Sequence, residues 1–130
     1  MRKNTKHLFM MKFIHSFGYA LSGLWYGIVT QRNLRIHFTC LLLVLGMGWY
    51  FSLSHTEWLL VAIAAFLVLS AELFNTAIEQ LCDVVEANIH PGIKRVKDIA
   101  AAAVLLSAMA ALVTGAVVFI PKILVWIKKI

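Results

Sequence analysis

The chain has 130 residues, enough for one domain and no more, and 62% of them are hydrophobic while only 14% are charged. A soluble domain of this size cannot hide so much apolar surface, so the class is an integral membrane protein solvated by lipid. The net charge of +6 comes with no aromatic-and-basic motif on a polar scaffold, which excludes nucleic acid as a partner; basic residues flanking apolar runs report anionic head groups and topology instead.

Taken in order, Met1 to Gln31 reads as an interfacial helix. Its start interleaves Arg2, Lys3, Lys6 and Lys12 with Leu8, Phe9, Met10 and Phe13, unlike the unbroken apolar core of a cleavable signal peptide. Phe13, Phe17, Tyr19, Ala20, Leu24 and Ile28 form an apolar helical stripe, and Trp25 and Tyr26 suit the head-group level. Thr30 to His37 is a polar hinge before the first membrane helix, expected over 34–53 and marginal in length for a bilayer. Ser52 to Glu57 is a short turn in which Ser54 or Thr56 caps the next helix. The second membrane helix is expected over 58–83. Asn88-Ile89-His90-Pro91-Gly92 breaks it, Ile93 to Asp98 is a basic connector, and the third membrane helix covers 99–120, ended by Pro121-Lys122. Ile123 to Ile130 is left as a short basic amphipathic tail. Cys40 and Cys82 lack metal-ligand spacing and read as small hydrophobes.

The result is an all-α membrane protein with an amphipathic N-terminal interfacial helix and three transmembrane helices. Lys and Arg concentrate before the first span and in the second connector (Lys94, Arg95, Lys97), which puts the N-terminus and that connector in the cytoplasm. Lys122, Lys128 and Lys129 vote the other way, and the larger bias beside the first span is given the decision.

One stretch carries the chemistry. Glu72, Asn75, Glu79 and Asp83 fall at i, i+3, i+7 and i+11, so they stack on one helical face that continues directly from the charge-free run Trp58 to Ala71. Charges there are expensive unless they face a bundle interior or a watery site. Two carboxylates with further oxygen donors suit Mg²⁺, which shares its shell with phosphates. Lys94, Arg95 and Lys97 can neutralise those phosphates, and a partly desolvated carboxylate suits a general base acting on a lipid hydroxyl. No Walker A loop or protein-kinase Gly-rich loop is present. The same acids also suit proton or cation transport.

The run Glu72-Leu73-Phe74-Asn75-Thr76-Ala77-Ile78-Glu79, then Asp83, His90-Pro91 and Lys97-Asp98 before an Ala-rich span, closely resembles the small prokaryotic diacylglycerol kinases. It is similar also to their undecaprenol kinase relatives, which share an ending like Phe119-Ile120-Pro121-Lys122-Ile123. The resemblance extends from Gly18-Tyr19 to Lys122 and implies a single lipid kinase domain over 1–130. It implies a homotrimer in the bacterial cytoplasmic membrane, with ATP and Mg²⁺ used on the cytoplasmic side and each active site built across a subunit boundary.

Residue by residue, the resemblance implies that Glu72 is the catalytic base for the lipid hydroxyl and that Asn75 lies beside the reacting groups. Glu79 holds the Mg²⁺ of MgATP. Tyr19, Asp83, His90, Lys97 and Asp98 contact nucleotide, with Lys12 where some members carry Arg. Arg35, with Asn33 and Trp25, lies near the lipid. Gln31 stands where many members carry a metal-binding Glu; its amide offers an oxygen without the charge. The expected function is transfer of the ATP γ-phosphate to diacylglycerol or undecaprenol, for phospholipid or lipid-carrier recycling. The competing reading is a small oligomeric proton- or cation-coupled transporter using Glu72, which needs the intramembrane acid but has no use for Glu79, Asp83 and the Lys97-Asp98 pair.

Overall fold

Apolar runs in lipid must satisfy every backbone N–H and C=O internally, and the helix does so within one segment. The computed structural model describes residues 2–86 and 90–129, with side chains from Met10 onward, and its regular structure is entirely helical. Four helices follow one another: α1 (Arg2–Thr30), α2 (Arg32–Tyr50), α3 (His55–Val85) and α4 (Pro91–Ile127). Among the described residues, α3 and α4 are the two helices long and apolar enough to cross a membrane. At 1.5 Å per residue they reach about 46 and 55 Å, against roughly 30 Å of hydrocarbon. The 19 residues of α2 reach only about 28 Å.

The frame is an antiparallel α3–α4 hairpin with an ion pair at each end. Lys97 Nζ meets Asp83 Oδ1 at 2.5 Å, and Lys122 Nζ meets Glu57 Oε2 at 3.0 Å. Almost the same number of residues separates the two acids on α3 as the two lysines on α4, so the pairs fix one register. The Glu57 end also holds the apolar core. Leu53, Val61, Val118 and Phe119 are buried there, with Val44, Phe51, Trp58 and Ile123 packed against them. Gly48 lets α2 approach: a Cβ on it would lie 2.6 Å from the Trp58 ring.

The α2–α3 turn is built from two interlocked caps. Ser52 has φ of 50°, and its N–H donates to Trp49 O at 3.1 Å while that of Leu53 donates to Gly48 O at 3.0 Å. This is the Schellman pattern, with Ser where Gly is usual and Leu53 buried as its apolar anchor. Ser54 then opens α3. Its Oγ accepts the Glu57 N–H at 3.3 Å, and its own N–H donates to Glu57 Oε2 at 2.7 Å, a complete capping box. Of the two cap residues expected, Ser54 serves.

Three expected boundaries move. The polar hinge narrows to Gln31, whose φ of −100° and ψ of 119° separate α1 from α2, while Arg32 to His37 are already helical. The basic connector is the start of α4, because Pro91 occupies the first turn, where its missing N–H is harmless. The Asn88-Ile89 part of the expected break lies outside the described residues. Pro121 does not end α4, which continues to Ile127. A Pro inside a helix costs about 3 kcal/mol; the Lys122–Glu57 pair and the packing of Ile123 on the core offset it. Both cysteines are free, Cys82 buried and Cys40 exposed.

Most large apolar side chains are not in this core. Phe66, Leu106 and Leu112 are 69%, 67% and 74% exposed. In water such a surface would drive aggregation; in a bilayer it is what the lipid meets.

Candidate active site

The face of α3 that buries Val61 and Val68 at one end carries polar groups at the other. Glu72 is 2% exposed, and Asn75 and Thr76 are each 6% exposed. A helical face that begins in an apolar core leads its next turns toward the same interior, and these three side chains are buried there. Asn75 Nδ2 donates to Glu79 Oε1 at 3.0 Å, and Glu79 is half-buried. Glu72 Oε2, Asn75 Oδ1 and Thr76 Oγ1 have no hydrogen-bond partner. Buried polar atoms are nearly always satisfied, and an unpaired one costs about 1–3 kcal/mol, more for a charge. Three within little more than one turn of α3 therefore need a reason that folding does not supply.

The polar face continues outward. One turn beyond Glu79, Asp83 holds Lys97 from α4, and Lys94 holds Asp98 at 2.7 Å within α4. His90 caps α4, its Nδ1 accepting the Gly92 N–H at 3.1 Å. The residues carried over from the resemblance thus form two groups. Glu72, Asn75 and Glu79 lie together on α3, and Asp83, Lys97, Asp98 and His90 lie together where α3 and α4 meet their connection.

The α1–α2 elbow meets α3 at Leu73, the residue after Glu72. A Cβ at Gly27 would lie 2.8 Å from Leu34 Cδ2 and 3.1 Å from Leu73 Cδ2. Leu34 is fully buried, so the first turn of α2 presses on the residue next to Glu72. Gln31 sits in this elbow, half-buried, and its side chain makes no cap hydrogen bond to α2. Arg35 and Asn33 flank Leu34 and are exposed. Lys12, Tyr19 and Trp25 are exposed on α1, and among the described residues no hydrogen bond or ion pair joins them to the α3 cluster.

Among the described residues, no three His, Cys, Asp or Glu side chains form a ready metal cage. The cluster offers hard oxygen instead: the Glu79 carboxylate and the unpartnered oxygens of Glu72, Asn75 and Thr76. That donor chemistry fits Mg²⁺ entering with phosphates and water in its own shell better than a cation held by protein alone. Thr76 is the member that sequence reading passed over. Its signal is its place at i+4 from Glu72, on the same face.

Residues 18–119 match the family model for prokaryotic diacylglycerol kinase. The chain belongs to that family. It is 36% identical over 112 residues to an undecaprenol kinase of Bacillus subtilis, a match covering 86% of this chain and 91% of that protein. It is 42% identical over 114 residues to a diacylglycerol kinase of Synechocystis sp., covering 84% of this chain and 63% of that one. The kinase is therefore an ATP-dependent membrane enzyme that transfers phosphate to a lipid hydroxyl. Membership decides between a lipid kinase and a transporter in favour of the kinase.

Proposed function

We propose that the buried α3 cluster is the reaction centre and that the acceptor is undecaprenol. The observation that carries the first part is the set of three unpartnered polar atoms, Glu72 Oε2, Asn75 Oδ1 and Thr76 Oγ1, on one face of α3. Glu72 takes the proton of the lipid hydroxyl as its oxygen bonds to the γ-phosphorus of ATP and the bond from that phosphorus to the bridging oxygen breaks, so that ADP leaves with the electron pair. Asn75, anchored through Nδ2 to Glu79, keeps Oδ1 free for the reacting groups. Glu79 and Gln31 are the protein's oxygen ligands toward the Mg²⁺ that accompanies ATP. When bound, that ion spreads the charge that develops on the phosphates. Lys97 and its partner Asp83, with Asp98 and His90, form the nucleotide side; Lys12 and Tyr19 reach it from α1, and Trp25, Asn33 and Arg35 border the lipid.

Catalysis in this arrangement is positioning and charge complementarity, with base assistance from Glu72. In the proposed assembly α2, α3 and α4 all cross the membrane, and α1 lies in the interface. The charged end of the hairpin faces the cytoplasm, and the pairing of Lys122 with Glu57 supports this by neutralising one of the C-terminal lysines. The proposed homotrimer is supported by the exposed positions of Lys12, Tyr19 and Trp25, which leave a neighbouring copy to bring them to a centre. The choice of undecaprenol rests on the match along 91% of the undecaprenol kinase relative.

The test is transfer from labelled ATP in mixed micelles, with undecaprenol and diacylglycerol offered in parallel to wild type, Glu72→Gln and Glu79→Gln. Undecaprenol phosphorylation lost in both variants is the expected result. Equal use of both lipids would overturn the acceptor assignment, and full activity in Glu72→Gln would overturn the centre.

A further inference from the structure

A second feature lies one face away from this cluster, on α2. Arg32, Arg35, Ile36, Thr39 and Cys40 line a shallow groove of about 330 Å³. Their spacing puts them on one stripe of the helix, which Leu43 and Met47 continue as exposed apolar side chains. The groove thus has a doubly cationic head and an apolar run below it.

The two guanidinium groups are unlike the lysines of α4. Lys94, Lys97 and Lys122 are each paired with a carboxylate, whereas neither Arg32 nor Arg35 has an ion-pair partner among the described residues. Thr39 adds no donor, because its hydroxyl donates to Arg35 O at 2.9 Å. The groove therefore presents two planar, fork-shaped cations and no acid, the complement of a group with several anionic oxygens. Between them in sequence, Leu34 points the other way, against Gly27 and Leu73 beside Glu72. The groove and Leu34 thus lie on different faces of α2, and Leu34 and Leu73, the residue after Glu72, converge on Gly27.

We propose that this groove binds the phosphomonoester head group of a membrane lipid, the chemical form in which the product leaves the enzyme, with Arg32 as a ligand alongside Arg35. The chain of that lipid runs down the Ile36, Cys40, Leu43 stripe. A phosphomonoester carries between one and two negative charges at neutral pH and matches two guanidinium forks, where a phosphodiester carries one charge and fewer free oxygens. The neutral acceptor has nothing for a second arginine to hold. The site distinguishes product from substrate, and so gives the phosphorylated lipid a place to go once it leaves Glu72. This inference rests on the proposed centre at Glu72 for its sense of direction, but the binding itself does not.

The experiment measures binding without nucleotide, so that it is independent of transfer. Purified full-length protein in detergent micelles is titrated with phosphatidate, undecaprenyl phosphate, phosphatidylglycerol and inorganic phosphate, and bound ligand is counted by native mass spectrometry. Wild type, Arg32→Gln and Arg32→Lys are compared after thermal melts show all three equally folded. The expected result is that both phosphomonoester lipids bind at least about tenfold more tightly than phosphatidylglycerol. Arg32→Gln removes about that factor, and Arg32→Lys restores part of it. Equal weakening toward phosphatidylglycerol would reduce the groove to a general basic surface. Inorganic phosphate binding with the same dependence on Arg32 would make it a soluble-anion site. Indifference to Arg32→Gln, or no lipid bound, would overturn the proposal and leave this face to a second copy of the chain. Full transfer activity in Glu72→Gln, with lipid binding by the wild type intact, would count against the Glu72 centre alone.

Discussion

The two ends of the α3–α4 hairpin are closed by the same device and filled with opposite materials. At the Glu57 end, an ion pair, a capping box and a Schellman turn surround Leu53, Val61, Val118 and Phe119, and the polar groups there answer one another. Toward the Asp83 end an ion pair again joins the helices, but behind it lie Glu72, Asn75 and Thr76 with oxygens that nothing answers. The first end is packed and satisfied, and the second, the proposed reaction centre, is buried and unsatisfied. The same helix supplies both, so the apolar end holds α3 rigid while the other keeps unmet hydrogen-bonding capacity for substrates.

That division is broken most sharply at Glu72. Glu72→Gln should lower transfer by a factor of about 10³ while leaving the melting temperature unchanged or higher, since the Oε2 it replaces is buried and makes no hydrogen bond that the fold would lose. A parallel loss of activity and stability would mean that Glu72 holds the fold. The converse change is Phe119→Ala, which should cost about 3 kcal/mol in a reversible detergent-unfolding titration, with KM for ATP unaltered. A raised KM would show the two ends to be coupled.

Gln31→Glu tests the elbow. Adding a carboxylate beside the cluster should lower the Mg²⁺ concentration for half-maximal activity several-fold; an unchanged Mg²⁺ titration removes Gln31 from the metal site. The smallest effect is expected from Ser52→Gly, which relieves a left-handed residue of its Cβ. Stability should rise by up to about 1 kcal/mol, less what glycine adds to the freedom of the unfolded chain. A decrease would show that the Ser52 hydroxyl has a stabilising role of its own.

Much of the centre was legible because a helix converts spacing directly into a face. Glu72, Asn75, Glu79 and Asp83 had to stack once α3 was a helix, and the clash between their polarity and the run before them marked the place. Thr76 was only weakly legible: it lies at i+4 from Glu72, but a threonine in an apolar helix commonly bonds its own backbone, as Thr39 and Thr114 do here, and its burial without a partner is what sets it apart. The helix ends were misjudged where tertiary contacts overrule local signals. Pro121 continues a helix because Lys122 pairs with Glu57 on α3 and Ile123 packs on the core, and Ser52 adopts a conformation typical of glycine because Leu53 is anchored below it. The hinge at residue 31 was placed but drawn too wide, since Arg32, Asn33, Arg35 and His37 are polar but α2 already begins at Arg32, with Leu34 buried in its first turn.

The paired ends of the hairpin also act as a gauge. Between Glu57 and Asp83 the helix rises roughly 39 Å, close to the ~40–45 Å of a bilayer with its polar layers and well beyond its ~30 Å of hydrocarbon. Each charged pair can therefore ride among head groups with little tilt. Glu72 lies three turns inward from Asp83, about 16 Å along the axis. Its depth below the surface is then set by counting turns, not by the lipid. A thicker or thinner membrane meets the same carboxylate at a different distance from its own phosphate layer, so acyl-chain length becomes a control on how readily a lipid alcohol and a water-soluble nucleotide arrive at one point.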